Sequence, residues 1–239
     1  MKKKITETVV CLLFVGVLTL SSAYCTVYGT YGIGTDYSLE YAGVPGDTVL
    51  ATVDGYNLTA ELYAYWLTYY DQMVYAAYDG EEADVTWDMT YDQTLGITLE
   101  QYVKSAAMQT AASFLLIEKK AEDYDVTLTE DQIAELNSWE KEQVEEYGQS
   151  GFYTQLKESS SSAALMVYMN TVNMLYENLA TELLGEDADT SSDEMNEYLQ
   201  QWMSESDAEI TDEYTDYDIV LFYDNLIPAL SSIDPDTYK

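Results

Sequence analysis

Apolar and polar positions divide the chain into an N-terminal block, an unpatterned stretch and a long series of helical periods. Behind Lys2, Lys3 and Lys4 runs a mainly apolar segment, Val9 to Leu20, followed by Ser21, Ser22 and Ala23. A cationic start, about a dozen apolar residues and small residues at the −3 and −1 spacing predict an export segment over residues 1–23. Counted to Tyr28, the stretch reaches the length of a membrane span, about 20 residues. Cys25 adds lipidation, although Tyr24 and Ser22 stand where a lipobox wants a small residue and Leu. Removal, retention as an anchor and lipidation all place the rest of the chain outside the cytoplasm, in the cell envelope.

Residues 24–48 are rich in Tyr, Gly, Thr and Ser without periodicity, which predicts a tether. The folded domain is expected over 49–239. It opens with a short β-prone run, Val49 to Val53, ended by the turn pair Asp54-Gly55. Thr59 is placed to cap a helix whose inward positions are Leu62, Trp66, Tyr70, Met73 and Ala77. Residues 79–97 read as a polar loop.

A capping box, Thr98 to Gln101, starts the next helix, with Tyr102, Ala106, Thr110, Phe114, Ile117 and Ala121 inward. Another, Thr129 to Gln132, starts a third with Ile133, Leu136, Val144 and Tyr147 inward, broken at Gly148 and Gly151. A serine run, Ser159 to Ser162, precedes a long helix from Ala163 to Leu184, and Gly185 stops it. Ser191 to Glu194 reads as a third box, for a helix carrying Met195, Leu199 and Trp202. Ala208 to Thr211 reads as a strand. From Tyr217 to Leu230 the pattern does not separate helix from strand. The fold class is thus mostly α, closed by a small pairing of two short strands, Leu50 to Val53 with Ala208 to Thr211.

Charge narrows the function. The chain has 44 acidic and 9 basic residues, a net −35, and no histidine; it also has no arginine. Phosphate backbones are bound by Lys and Arg, so nucleic acid is excluded as a partner. Anionic lipid repels such a surface, which leaves the N-terminal segment as the membrane contact. Without imidazole there is no Ser-His or Cys-His pair and no histidine metal site. The cysteines, Cys11 and Cys25, lie in or beside the apolar block and build no disulfide framework. Asp187, Asp189 and Ser191 echo a calcium loop, but Ser192 and Tyr198 stand where it needs Gly and Glu. No cofactor, metal site or catalytic residue is expected.

The segment Ala51 to Tyr63, Ala-Thr-Val-Asp-Gly-Tyr-Asn-Leu-Thr-Ala-Glu-Leu-Tyr, resembles the start of the N-terminal chaperone domain of SurA- and PrsA-like foldases. So do Ile117 to Gln132, where a helix ending in Lys and Ala gives way to Val-Thr-Leu-Thr, and Tyr147-Gly-Gln-Ser-Gly-Phe152 before a long helix. The closing segment, Trp202 to Tyr223, is also similar. The resemblance implies a helical chaperone-type domain that binds unfolded or extended polypeptides. Such foldases carry a parvulin isomerase domain with active-site histidines. Here there is no histidine, and the residues after Gly185 leave no room for it. The expectation is a non-enzymatic chaperone outside the cytoplasm. The alternative is a surface protein that uses this fold for one dedicated partner.

Among 24 tyrosines, those off the expected core stripes are the candidates for holding a client. They are Tyr69, Tyr75, Tyr78, Trp87 and Tyr91. Tyr and Trp offer large amphipathic contact area at low rotamer entropy, which suits tolerant binding.

Overall fold

The computed structural model describes residues 35–77, 86–94, 96–186 and 188–233. The expected export segment and Tyr78 lie outside them. The described chain is mostly helical with short antiparallel strands, as the pattern predicts. Among the described residues no helix is long and apolar enough to cross a membrane.

The described part of the expected tether, residues 35–48, contributes to the core instead. Helix α1 (Tyr37–Ala42) buries Tyr37, Ser38 and Tyr41. Asp36 caps it by accepting from the Leu39 N–H at 2.9 Å, and its other oxygen accepts from the Gly46 N–H at 2.8 Å. Only two aromatic anchors recur here, too few to stand out as a period against Gly and Thr.

Strand β1 (Val49–Val53) lies between two partners in a three-stranded sheet. On one side it turns at Asp54 and Gly55, both with positive φ (49° and 88°), into β2 (Tyr56–Thr59). Two residues at positive φ make the tight turn whose twist suits a hairpin. On the other side Ala51, Thr52 and Val53 pair with Ile210, Glu209 and Ala208 of β5 (Ala208–Ile210), the closure expected from the sequence. Strand β2 was not expected, because Thr59 was read as following a turn directly.

Helices α2 (Ala60–Ala77), α3 (Leu99–Asp123) and α5 (Ala163–Leu184) form the body. The capping boxes at Thr98 and Thr129 and the Ser162 cap are present. The third box is not: Ser192, rather than Ser191, caps α6 (Asp193–Glu205), with Met195 at the third position. Three inward faces differ from the expected ones: on the helix that starts at Thr129 only Leu136 of the expected set is buried, with Ile133, Val144 and Tyr147 half-buried. On α2 the buried residues are Ala60, Leu62, Tyr63, Ala64, Leu67, Thr68, Asp71 and Val74, while Met73 stands out in solvent. On α3 Val103, Ala107 and Ala111 turn inward in place of Tyr102, Ala106 and Thr110. Nearly every position of α2 is apolar or aromatic, so its period fits more than one face.

The segment α4 (Glu130–Glu158) is two helical stretches that meet at Gly148, one of the two expected breaks, whose φ of 70° and ψ of 163° lie where essentially only glycine is found; Gly151, the other, stays inside the second stretch. It buries Leu136, Gly151, Phe152 and Leu156. A Cβ at Gly148 would meet no neighbour, so its strain is confined to the backbone. Gly148→Ala should lower stability by about 1–3 kcal/mol. Urea unfolding checks this; an unchanged midpoint would mean the bend is not required. Helices α7 (Asp212–Asp216) and α8 (Ile219–Ser231) are the last elements among the described residues, and α8 packs Ile219, Phe222, Tyr223, Leu226 and Ile227 into the core. The tail is therefore helical.

Candidate functional site: an aromatic ladder

Six rings meet edge to edge or face to face across α2, α3 and a small hairpin. The hairpin joins β3 (Thr90–Asp92) and β4 (Ile97–Thr98). Along α2 the ring centroids follow at 5.1 Å from Tyr65 to Trp66, 5.8 Å to Tyr69 and 5.3 Å to Tyr70. Tyr70 reaches Tyr102 of α3 at 6.5 Å, and Tyr102 stacks on Tyr91 of β3 at 3.8 Å and 17°. The edge-to-face pairs lie at separations at which aromatic quadrupoles attract, while Tyr91 and Tyr102 form a tighter face-to-face stack.

The ladder is half-buried on its inner side and open on its outer side. Trp66 leans on Phe114 of α3 at 5.4 Å. The Tyr70 hydroxyl lies 3.0 Å from Thr110 Oγ1. Because Thr110 donates to the Ala106 carbonyl, the proton of that contact comes from Tyr70. The hydrogen bond with Tyr91, more than burial, pushes the Tyr102 hydroxyl up to about 12. Tyr69 and Tyr91 remain 51 % and 50 % exposed. Met73, one turn beyond Tyr69, is exposed as well.

At the Tyr65–Tyr69 end the ladder runs into a cleft of about 410 Å³. Tyr65, Tyr69, Gln155 and Leu230 are among the groups that line it. Gln72 fixes one wall by donating to the Glu158 carbonyl at 2.8 Å. The cleft has aromatic faces with the amides of Gln72 and Gln155, the hydroxyls of Thr68 and Ser159 and the carboxylate of Glu158 between them.

The expected client-binding residues separate on this geometry. Tyr69 and Tyr91 belong to one continuous surface, which joins two segments about twenty residues apart. Tyr75 is half-buried near the end of α2 and makes no ring contact among the described residues. Trp87 was expected off the core, but it is half-buried and packs on Tyr223 of α8, centroids 5.0 Å apart at 80°. It belongs to the packing that holds the hairpin down. Tyr78 lies outside the described residues. Tyr65, Trp66, Tyr70 and Tyr102, all half-buried, are the members of this surface that the sequence does not single out. The spacing Tyr65/Tyr69 and Trp66/Tyr70 carries the signal, but the α2 face was set one step off. At the expected calcium-like loop, Asp189 accepts from the Ser191 N–H and hydroxyl, both at 2.8 Å.

No protein-family model, no curated protein and no solved structure matches this chain.

Proposed function

We propose that this protein is a non-enzymatic chaperone of the cell envelope that holds unfolded or extended polypeptides on the aromatic ladder. The observation that carries the reading is the ladder's continuity: six rings over three elements, with Tyr69 and Tyr91 half exposed. A contiguous open aromatic surface marks an interaction site. Rings bind through their faces and hydroxyls, so they tolerate many sequences. The net charge of −35 keeps a loaded complex soluble and favours clients with basic segments.

The full-length protein is expected to slow aggregation of several unrelated unfolded proteins at stoichiometric ratios. The double variant Tyr69→Ser/Tyr91→Ser should lose most of this holding while melting within a few degrees of the parent, because both rings are already half in water. Light scattering and thermal unfolding measure the two effects. If excess protein leaves every client's aggregation unchanged, the chaperone reading fails and a dedicated partner becomes the better explanation. If the double variant holds clients as well as the parent, the ladder is not the site.

A further inference from the structure

A second groove lies away from the ladder, between α4 and α5, with a volume of about 400 Å³. Its lining is chemically different: Leu136 and Met174 at the bottom, Trp139, the carboxylates Glu135 and Glu177, and the amides of Asn170 and Asn173. The groove's α4 wall is the stretch before the Gly148 break, which packs on α5. The register of the two is fixed at one end by reciprocal amides. Gln132 donates to Asn178 Oδ1 at 3.0 Å, and Asn178 donates back to Gln132 Oε1 at 2.9 Å and to the Thr127 carbonyl at 3.0 Å. Gln132 thus serves both as the capping-box residue of α4 and as a clamp to α5. Moving four residues along each helix from that clamp brings Leu136 level with Met174, and Trp139 and Asn170, one turn further on, line the same groove.

Apart from Gln132, which lines the groove and is spent in the clamp, the groove's polar side chains make no hydrogen bond among the described residues. Asn170 and Asn173 make no hydrogen bond to another group among the described residues, and Glu135 and Glu177 pair with no lysine there. No lysine lines the groove. The nearest in sequence, Lys141, is exposed and pairs with Glu145 at 3.5 Å. Trp139 is held edge-on by Phe152 at 5.8 Å.

We propose that this groove binds an extended peptide segment bearing lysine or arginine. A side-chain amide offers one donor and one acceptor, the same pair a peptide unit offers. Amides three or four residues apart on a helix lie about 5–6 Å apart. That is close to the two-residue repeat of an extended chain, about 6.6 Å, so Asn170 and Asn173 match alternate peptide units. The indole takes a cation on its face, and Glu135 and Glu177 supply the opposite charge. The same carboxylates repel acidic segments. The site is independent of the ladder and would select basic stretches where the ladder accepts apolar ones.

The test titrates the full-length protein with a short labelled peptide of alternating lysine and serine. Controls are its glutamate counterpart and a neutral oligosaccharide, which also suits amides beside an indole. The lysine peptide alone should bind. Glu135→Gln/Glu177→Gln, which keeps the groove's shape, should weaken it about tenfold. Trp139→Ala should do so about threefold or more, and Asn170→Ala/Asn173→Ala should lower affinity as well. Tyr69→Ser/Tyr91→Ser should leave peptide affinity unchanged, which separates this site from client holding. Equal affinity in the glutamine variant would overturn the proposal, because the peptide would then be reading only the overall negative surface. Binding of the oligosaccharide in preference to the peptide would overturn it too.

Discussion

Ending the chain at Ser206 should abolish cooperative unfolding rather than trim a tail. The lost segment contains β5, which supplies one of the two partners of the central strand. It also contains Tyr217, fully buried with its hydroxyl 3.0 Å from Ser38 Oγ. Helix α8 then buries Ile219, Phe222, Tyr223, Leu226 and Ile227, and Asn225 donates to the Tyr41 carbonyl at 2.8 Å. Each large apolar side chain returned to water costs about 1.5–3 kcal/mol. Five of them are comparable with the entire stability of a domain, about 5–15 kcal/mol. Helix α1 would lose its support at the same time, since Tyr41 packs edge-on against Phe222 at 5.5 Å. Urea titration followed by far-UV dichroism and tryptophan fluorescence should give broad, non-coincident curves. A single sharp transition at the parent's midpoint would refute this role of the C-terminal segment. The milder Phe222→Ala should keep cooperativity and cost about 3–5 kcal/mol.

This dependence also shows where the sequence is legible. Caps are local chemistry, so Thr98 and Thr129 could be read from a few neighbouring residues, and the helices they start begin where expected. The β1–β5 pairing could be inferred because neither short strand is stable alone. Burial could not be read as well, because it depends on which face meets a neighbour. In α2 the ring-bearing positions 63, 65, 66, 69 and 70 spread over nearly half of the helix's circumference. The tertiary structure sends Tyr63 inward, against Tyr217 at 5.1 Å, and leaves Tyr69 outside. The candidate site suffered from the same ambiguity. Tyr69 and Tyr91 were identifiable as off-core rings, but their connection through Tyr70 and Tyr102 exists only once α3 is placed against α2. Trp87 failed for the opposite reason: its polar neighbours in sequence hide a long-range contact with α8.

Asp71 was invisible as well, and it carries the second large effect. Expected on no inward stripe, it is fully buried on α2, and neither carboxylate oxygen has a hydrogen-bond partner. Burial raises its carboxyl well above the usual carboxylate range, so the folded chain holds it as the neutral acid. The unfolded chain ionises it near pH 3.9. Above that pH the folded state binds one more proton than the unfolded state, and stability therefore falls as pH rises, until the pH reaches the raised folded value. Below about pH 4 both states are protonated and the penalty vanishes. Asp71→Asn keeps the shape and removes the titration. Its advantage over the parent should widen by about 1.4 kcal/mol per pH unit through that window. At acid pH the two should be nearly equal, since the buried amide is no better bonded than the acid. Glu61 and Glu118, also raised mainly by burial, are present in both proteins and cancel in the difference. Urea unfolding of parent and variant across a pH series measures the divergence directly. Parallel curves would mean that Asp71 does not change protonation on folding, and the neutral buried acid would have to be abandoned.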